Sequence, residues 1–221
     1  GVRLSYVMEE SPLGTAGAVK NAEGHLDGAF FVFNGDIITN IDLGAMLSFH
    51  RQRRAVATIA LTPVENPSAY GVVETASDGR VKRFIEKPPP GQATTNLINA
   101  GIYILEPDVL AKVPVGKKFM FEHDLFPNLL KENTPIFGFP TDCYWIDVGT
   151  PQKYMKLQCD LLDDRCGIDF CADEKSVKAS GAPIEADGAV VIGANCTISN
   201  NATIKGPCVL GPGCKIKEGA V

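Results

Sequence analysis

Ala29-Phe30-Phe31-Val32-Phe33 runs directly into Asn34-Gly35-Asp36. An unbroken apolar run leaves no polar face, so the strand it forms is expected inside a sheet covered on both sides, as parallel strands of α/β proteins are. Asn-Gly-Asp then ends the strand in a loop. In an open α/β sheet, ligands bind at the carboxyl ends of strands, so this stretch delivers a carboxylate, Asp36, to the ligand-binding edge.

Outward from that strand, segments of strand and helix character alternate. Arg3–Met8 predicts a strand and Ala16–Leu26 a helix. Asp42 is placed to cap a helix reaching Arg54, with Arg51, Arg53 and Arg54 at the negative end of its dipole. Ala55–Pro63 and Leu97–Leu105 read as strands, and Asp78-Gly79 joins Tyr70–Thr75 to Arg80–Glu86 as a hairpin. A helix over Glu122–Glu132 is followed by short strands at Pro135–Phe139 and Cys143–Val148. Thr150-Pro151 opens a last helix to about Asp164. Strands interleaved with helices imply an α/β, Rossmann-like, mostly parallel sheet.

Beyond Asp164 the pattern changes. An aliphatic residue recurs every six positions at Ile192, Ile198, Ile204, Leu210 and Ile216. Small or β-branched residues stand two positions earlier (Val190, Cys196, Ala202, Cys208, Cys214), and Gly, Asn and Pro fill the corners. A period of six with stacked aliphatics predicts a left-handed parallel β-helix of hexapeptide repeats. The expected organisation is a catalytic-type domain over 1–165, a connector over 166–182 and a partial β-helix over 183–221.

Composition narrows the partners. With 21 basic against 26 acidic residues the net charge is −5, which argues against nucleic acid, whose binders carry a basic footprint. The 45% apolar content supplies a sizeable core. No apolar run approaches the roughly 20 residues of a membrane helix, and no signal peptide opens the chain, so a cytoplasmic location is expected. The seven cysteines form no C-x2-C pair and read as thiols in a reducing compartment; Cys196, Cys208 and Cys214 fit a coil interior that admits only small side chains.

Three further stretches join Asp36. Leu13-Gly14-Thr15-Ala16-Gly17-Ala18 opens a helix with glycines that allow close approach of a flat or anionic ligand. Glu86-Lys87 ends a strand; on extended chain the two side chains point opposite ways, so no ion pair is expected between them. Trp145-Ile146-Asp147 places the only Trp and a second carboxylate on one side of a strand. Asp36 and Asp147 have the chemistry to hold a hard cation beside phosphate oxygens. Read singly, each stretch also has a plain structural explanation as a turn, a cap, a solvated charge pair or a core residue.

In order along the chain, Leu13–Ala18, Asn34-Gly35-Asp36, Tyr70-Gly71-Val72-Val73, Glu86-Lys87-Pro88, Asn99-Ala100-Gly101-Ile102-Tyr103 and Trp145–Pro151, followed by hexapeptides, resemble the sugar-1-phosphate nucleotidyltransferases. Within that family the pattern is most similar to the mannose-1-phosphate guanylyltransferases. The resemblance implies a nucleoside triphosphate (GTP) and a sugar 1-phosphate (mannose 1-phosphate) as partners, Mg2+ as cofactor and pyrophosphate as leaving group. It implies that Gly14 lies against the nucleobase with Thr15 beside it in the substrate site, and that Asp36 and Asp147 hold the Mg2+. By the same resemblance Gly71 offers its N–H to the sugar nucleotide, Glu86 and Asn99 bind sugar hydroxyls, Lys87 binds the phosphate and Trp145 walls the sugar pocket. The catalytic group is then Lys87, Asp36 and Asp147. His25, His50 and His123 match no motif of the family and read as incidental.

The family also begins with a glycine-rich strand and loop that grips the triphosphate, and nothing before Leu13 matches it. The expectation is a partial chain, inactive as a pyrophosphorylase by itself, whose β-helix self-associates into a homo-oligomer. The alternatives are a glucose-1-phosphate thymidylyl- or uridylyltransferase, a non-catalytic sugar-nucleotide-binding paralogue, a metal-dependent glycosyltransferase, and a hexapeptide acyltransferase. The last is disfavoured because no His follows His123.

Overall fold

The computed structural model describes residues 1–168, 184–185 and 190–220. From residue 169 on, the expected connector lies outside the described residues, as do Cys171, Val221 and residues 183 and 186–189 of the repeat region. The chain forms two units, Gly1–Ile37 with Ile41–Trp145, and Ile38–Asn40 with Ile146–Val221.

In chain order the elements before the repeats are α1 (Gly14–Asn21), β1 (Phe30–Phe33), β2 (Ile37–Thr39), α2 (Leu43–Arg53), β3 (Ala57–Pro63), β4 (Gly71–Thr75), β5 (Val81–Glu86), β6 (Leu97–Leu105), α3 (Phe126–Lys131), β7 (Ile136–Pro140), β8 (Trp145–Asp147) and α4 (Pro151–Leu162). Asp42 caps α2 as its sequence predicts, Oδ1 accepting from Ala45 N–H at 2.9 Å. The Asp78-Gly79 turn closes the β4–β5 hairpin, with Gly79 at φ +86°. The helix expected from Glu122 instead opens with a π-turn at Phe121–Leu125, where Leu125 N–H reaches back to the Met120 carbonyl, before α3 takes over.

The first unit is built on one sheet in the order β5-β4-β6-β3-β7, with β1 also on β6. Because β3 occupies one edge of β6, β4 and β1 share the other, at Val72↔Ile98 and at Phe30↔Leu105 through Phe33↔Ile102. The expectation of a mostly parallel sheet is corrected to a mixed one. Only β3–β7 is parallel here, while β1–β6, β3–β6, β4–β5 and β4–β6 are antiparallel. The opening strand, β1, is thus antiparallel, and it is half-buried because it pairs along a single edge among the described residues. Arg3–Met8 forms no strand: Tyr6 and Met8 are exposed, and no described strand offers a ladder to its backbone groups.

Alternation along β6 sends Tyr103 and Leu105 into one core, with Ile59, Leu61, Phe121 and Phe126. It sends Ala100, Ile102 and Ile104 into a second, with Ile41, Met46 and Ala60. Burial on both faces is what a covered central strand requires, at roughly 1.5–3 kcal/mol for each large aliphatic side chain.

In the second unit Thr150 caps α4 through Lys153 N–H, with Pro151 at the first helical position. The repeat strands are β9 (Ile184–Glu185), β10 (Val190–Ile192), β11 (Thr197–Ile198), β12 (Ile204–Lys205), β13 (Cys208–Leu210) and β14 (Lys215–Ile216). They pair in parallel: Val190 faces Cys208, Ile192 faces Leu210 and Ile198 faces Ile216, each three hexapeptides further on. Ile192, Ile198, Ala202 and Ile204 are buried, with the half-buried Cys196 and Cys208 packed against them; Cys214, also half-buried, is not part of that cluster.

Candidate functional site

The first unit brings most of the implied site residues into one connected set. Gly14, at φ +73°, starts α1 so close to the next segment that a Cβ there would lie 2.8 Å from the Phe119 carbonyl oxygen. The Ala16 and Gly17 amides both donate to that carbonyl at 3.0 Å. The helix start is therefore taken up by an internal partner. Thr15 Oγ1 accepts from Phe121 N–H at 2.9 Å and ties this stretch to the π-turn.

From the π-turn, Glu122 reaches β6. Its Oε1 accepts from the Tyr103 hydroxyl at 2.9 Å and from Asn99 Nδ2 at 3.3 Å, while Asn99 Nδ2 also donates to the Tyr103 oxygen at 2.8 Å. Asn99 Oδ1 in turn accepts from Gly101 N–H at 3.0 Å. Burial pushes the Tyr103 phenol well above its ordinary range, and the Glu122 and Glu86 carboxylates push the same way. Asn34 lies against the other side of Gly101: its N–H donates to the Gly101 carbonyl at 2.9 Å, and a Cβ on Gly101 would meet its Nδ2 at 2.7 Å. Asp36, two residues on, is exposed, and its carboxylate has no partner among the described residues.

Gly71 and Glu86 face each other across the β4–β5 hairpin, and a Cβ on Gly71 would lie 2.9 Å from Glu86 Oε2. One correction concerns the next residue. Lys87 Nζ stands 3.8 Å from Glu86 Oε1, although alternation on a strand separates such neighbours. The strand stops at Glu86, and Lys87 adopts φ +44°, which turns its side chain out of the alternation. Its N–H donates to the Tyr70 carbonyl at 3.1 Å. The Tyr70 ring meets Trp145 edge-on at 5.7 Å, and Trp145 Nε1 donates to the Ala100 carbonyl at 2.9 Å, beside Asn99.

In the second unit, Asp147 forms an ion pair with Lys153 of α4. Among the described residues no group of three His, Cys, Asp or Glu side chains is placed to hold a metal ion. His50 is structural: it is buried, with Nδ1 2.8 Å from Thr58 Oγ1 and Nε2 3.2 Å from Glu106.

Sequence reasoning missed Glu122 and Lys153. An acid opening a helix is ordinarily explained by the helix dipole, and nothing local marks Glu122 otherwise. Tyr70 and Tyr103 stood inside quoted motifs without a role.

A model of the nucleotidyl transferase family matches residues 1–164, and one for the bacterial transferase hexapeptide (six repeats) matches 189–221. The chain is 37% identical, over 99% of its length and 58% of the other's, to a mannose-1-phosphate guanylyltransferase of Mycobacterium tuberculosis. It is 32% identical, over 100% of its length and 63% of the other's, to a UTP–glucose-1-phosphate uridylyltransferase of Synechocystis. Among solved structures it resembles HddC of Yersinia pseudotuberculosis, with 33% identity and a TM-score of 0.57 over 67% of this chain and 62% of that one. The chain thus spans about 60% of the length of these relatives. With the family's model covering the whole first region, up to residue 164, the chain belongs to the nucleotidyl transferase family.

Proposed function

We propose that the protein transfers a nucleotidyl group from GTP to mannose 1-phosphate, forming an NDP-sugar and releasing pyrophosphate. The observation that carries this reading is the connected set from Thr15 through Glu122 and Asn99 to Gly101, with Glu86 and Lys87 at the adjoining hairpin. Carboxylate acceptors suit sugar hydroxyls, and an exposed ammonium suits a phosphate. The Mycobacterium relative supports the guanylyl and mannose assignments, and the HddC structure complexed with GMP-PN supports the guanine nucleotide alone.

In this reading a sugar-phosphate oxygen attacks the α-phosphorus in line, its bond to phosphorus forming as the bond to pyrophosphate breaks. That oxygen is already ionised at neutral pH, so no general base is required. Lys87 binds and neutralises the incoming phosphate, and positioning with charge neutralisation supplies the rate. Glu86 orients the sugar, Asn99 lines the same side with its amide held by Gly101, Tyr103 and Glu122, Gly71 leaves room beside Glu86, and Trp145 forms the wall. Gly14 and Thr15 belong to the nucleotide's side of the site.

Mg2+ is the proposed cofactor. Asp36 offers an exposed carboxylate and Asp147 one held by an ammonium, and Mg2+ is commonly bound by one or two carboxylates plus substrate phosphates. When bound, it would neutralise phosphate charge. For the repeat region we propose a left-handed coil, supported by parallel pairing at three-hexapeptide spacing, and through it a homo-oligomer. A cytoplasmic setting suits these substrates.

The 32% identity to a uridylyltransferase gives UTP with glucose 1-phosphate as the second reading. Pyrophosphate release, together with ligand titration of Trp145 fluorescence where the chain by itself does not turn over, measured over a grid of nucleoside triphosphates and sugar 1-phosphates, separates the two. GTP with mannose 1-phosphate is expected to be the best pair, and a better UTP–glucose 1-phosphate pair overturns the assignment.

A further inference from the structure

We propose that Glu122 accepts a hydrogen bond from a hydroxyl of the sugar 1-phosphate through its second carboxylate oxygen and thereby helps to select the sugar. The inference rests on the sugar 1-phosphate reading above.

Oε1 of Glu122 is occupied twice, by the Tyr103 hydroxyl and by Asn99, whereas Oε2 makes no hydrogen bond among the described residues. The side chain is half-buried, so its position is fixed while one acceptor stays open. That position is set from three sides. Tyr103, fully buried, anchors Oε1; Thr15 holds the neighbouring Phe121 amide; and Asp124 Oδ2 accepts from Met120 N–H at 2.8 Å. The backbone itself is a π-turn, a distortion that recurs at functional sites because it re-aims a side chain.

The same network changes the part assigned to Asn99. Its Oδ1 is engaged by Gly101, and its Nδ2 by Tyr103 and Glu122. Asn99 is thus a positioning residue for Glu122 more than a free acceptor for sugar. Glu122, on the π-turn, bonds the Tyr103 hydroxyl directly, and Glu86, at the end of β5, raises the same phenol electrostatically. Two acceptors from different elements can take two hydroxyls of a pyranose, and the relative orientation of those hydroxyls is what distinguishes epimers.

The test measures binding of mannose 1-phosphate, its monodeoxy analogues and inorganic phosphate by titrating the fluorescence of Trp145, the only Trp. The unaltered chain is compared with Glu122→Gln, which keeps the oxygen that Tyr103 and Asn99 use, and with Glu122→Asp. Glu122→Gln is expected to weaken mannose 1-phosphate binding about tenfold to a hundredfold, the range for a hydrogen bond to a charged group. Phosphate binding should not move, and one deoxy analogue should bind the variant and the unaltered chain alike. Equal affinity of both chains for mannose 1-phosphate overturns the proposal. So does a loss in Glu122→Gln that is the same for every deoxy analogue and for phosphate, since that is general damage. A loss in Glu122→Asp confined to the same deoxy position supports it independently. If the unaltered chain binds no sugar 1-phosphate, the functional reading itself falls, an outcome distinct from the failure of Glu122 alone.

Discussion

Lys87 carries a backbone cost that its visible contacts do not offset. At φ +44° a residue with a side chain sits in the left-handed region, at roughly 1–3 kcal/mol. Its ion pair with Glu86 spans 3.8 Å, with Lys87 two-thirds exposed, and exposed pairs contribute between nothing and about 1 kcal/mol. A strained cation at a strand end, beside a carboxylate held across from Gly71, fits a group positioned for a ligand. Lys87→Gly therefore separates stability from function. Glycine relieves the backbone, so urea denaturation should show unchanged stability or a gain of up to about 1 kcal/mol. Sugar 1-phosphate binding should fall at least tenfold in the same variant. A clear loss of stability would show that Lys87 is held for structural reasons.

At the scale of elements, what was legible in the sequence was what local chemistry dictates. Asp42 three residues before Ala45 caps α2, Asp78-Gly79 makes the hairpin, and the long apolar run of β6 is a strand over its full predicted length. Strand direction was not legible, because apolarity reports burial and says nothing of which way a neighbour runs. The continuous run of β1 thus suggested a parallel interior strand, while the strands paired on both edges are β4, β6 and β3, and β1 pairs only with β6. The π-turn was equally hidden, since its sequence suits an ordinary helix, and Glu122 was missed with it. The β3–β7 contact rests on a missing side chain. A Cβ on Gly138 would lie 2.5 Å from Leu61 Cδ1 and 2.9 Å from Thr75 Cγ2. Leu61 is fully buried, so it has little room to retreat. Gly138→Ala is expected to cost about 1–3 kcal/mol by overpacking, read as a fall in thermal midpoint. An unchanged midpoint would mean that the sheet yields where β3 and β7 meet.

For the molecule as a whole, the six-residue period was the most informative feature of the second unit, because stacking depends on spacing alone. Register followed from it in β10–β13 and β11–β14, where residues three hexapeptides apart face each other, but not in β9–β12, where Ile204 faces Ile184. Handedness did not, being a property of the path between strands. The three hydrophobic clusters share no residue, two lying in the first unit and one in the repeats. In a stack of repeats each turn rests only on its neighbours, so damage spreads along the coil. Ile204, buried among Ile192, Ile198 and Ala202, is the place to test this. Ile204→Ala should cost about 2–5 kcal/mol within the repeats. Amide exchange should then accelerate at Gly193, Thr197 and Ser199, whose N–H groups bond across coils to Leu210, Cys214 and Ile216. The Asn34 and Lys87 amides, bonded to Gly101 and Tyr70, should keep their protection. Equal acceleration in both sets would mean that the two units open as one, and that the repeats contribute directly to the stability of the first unit's sheet.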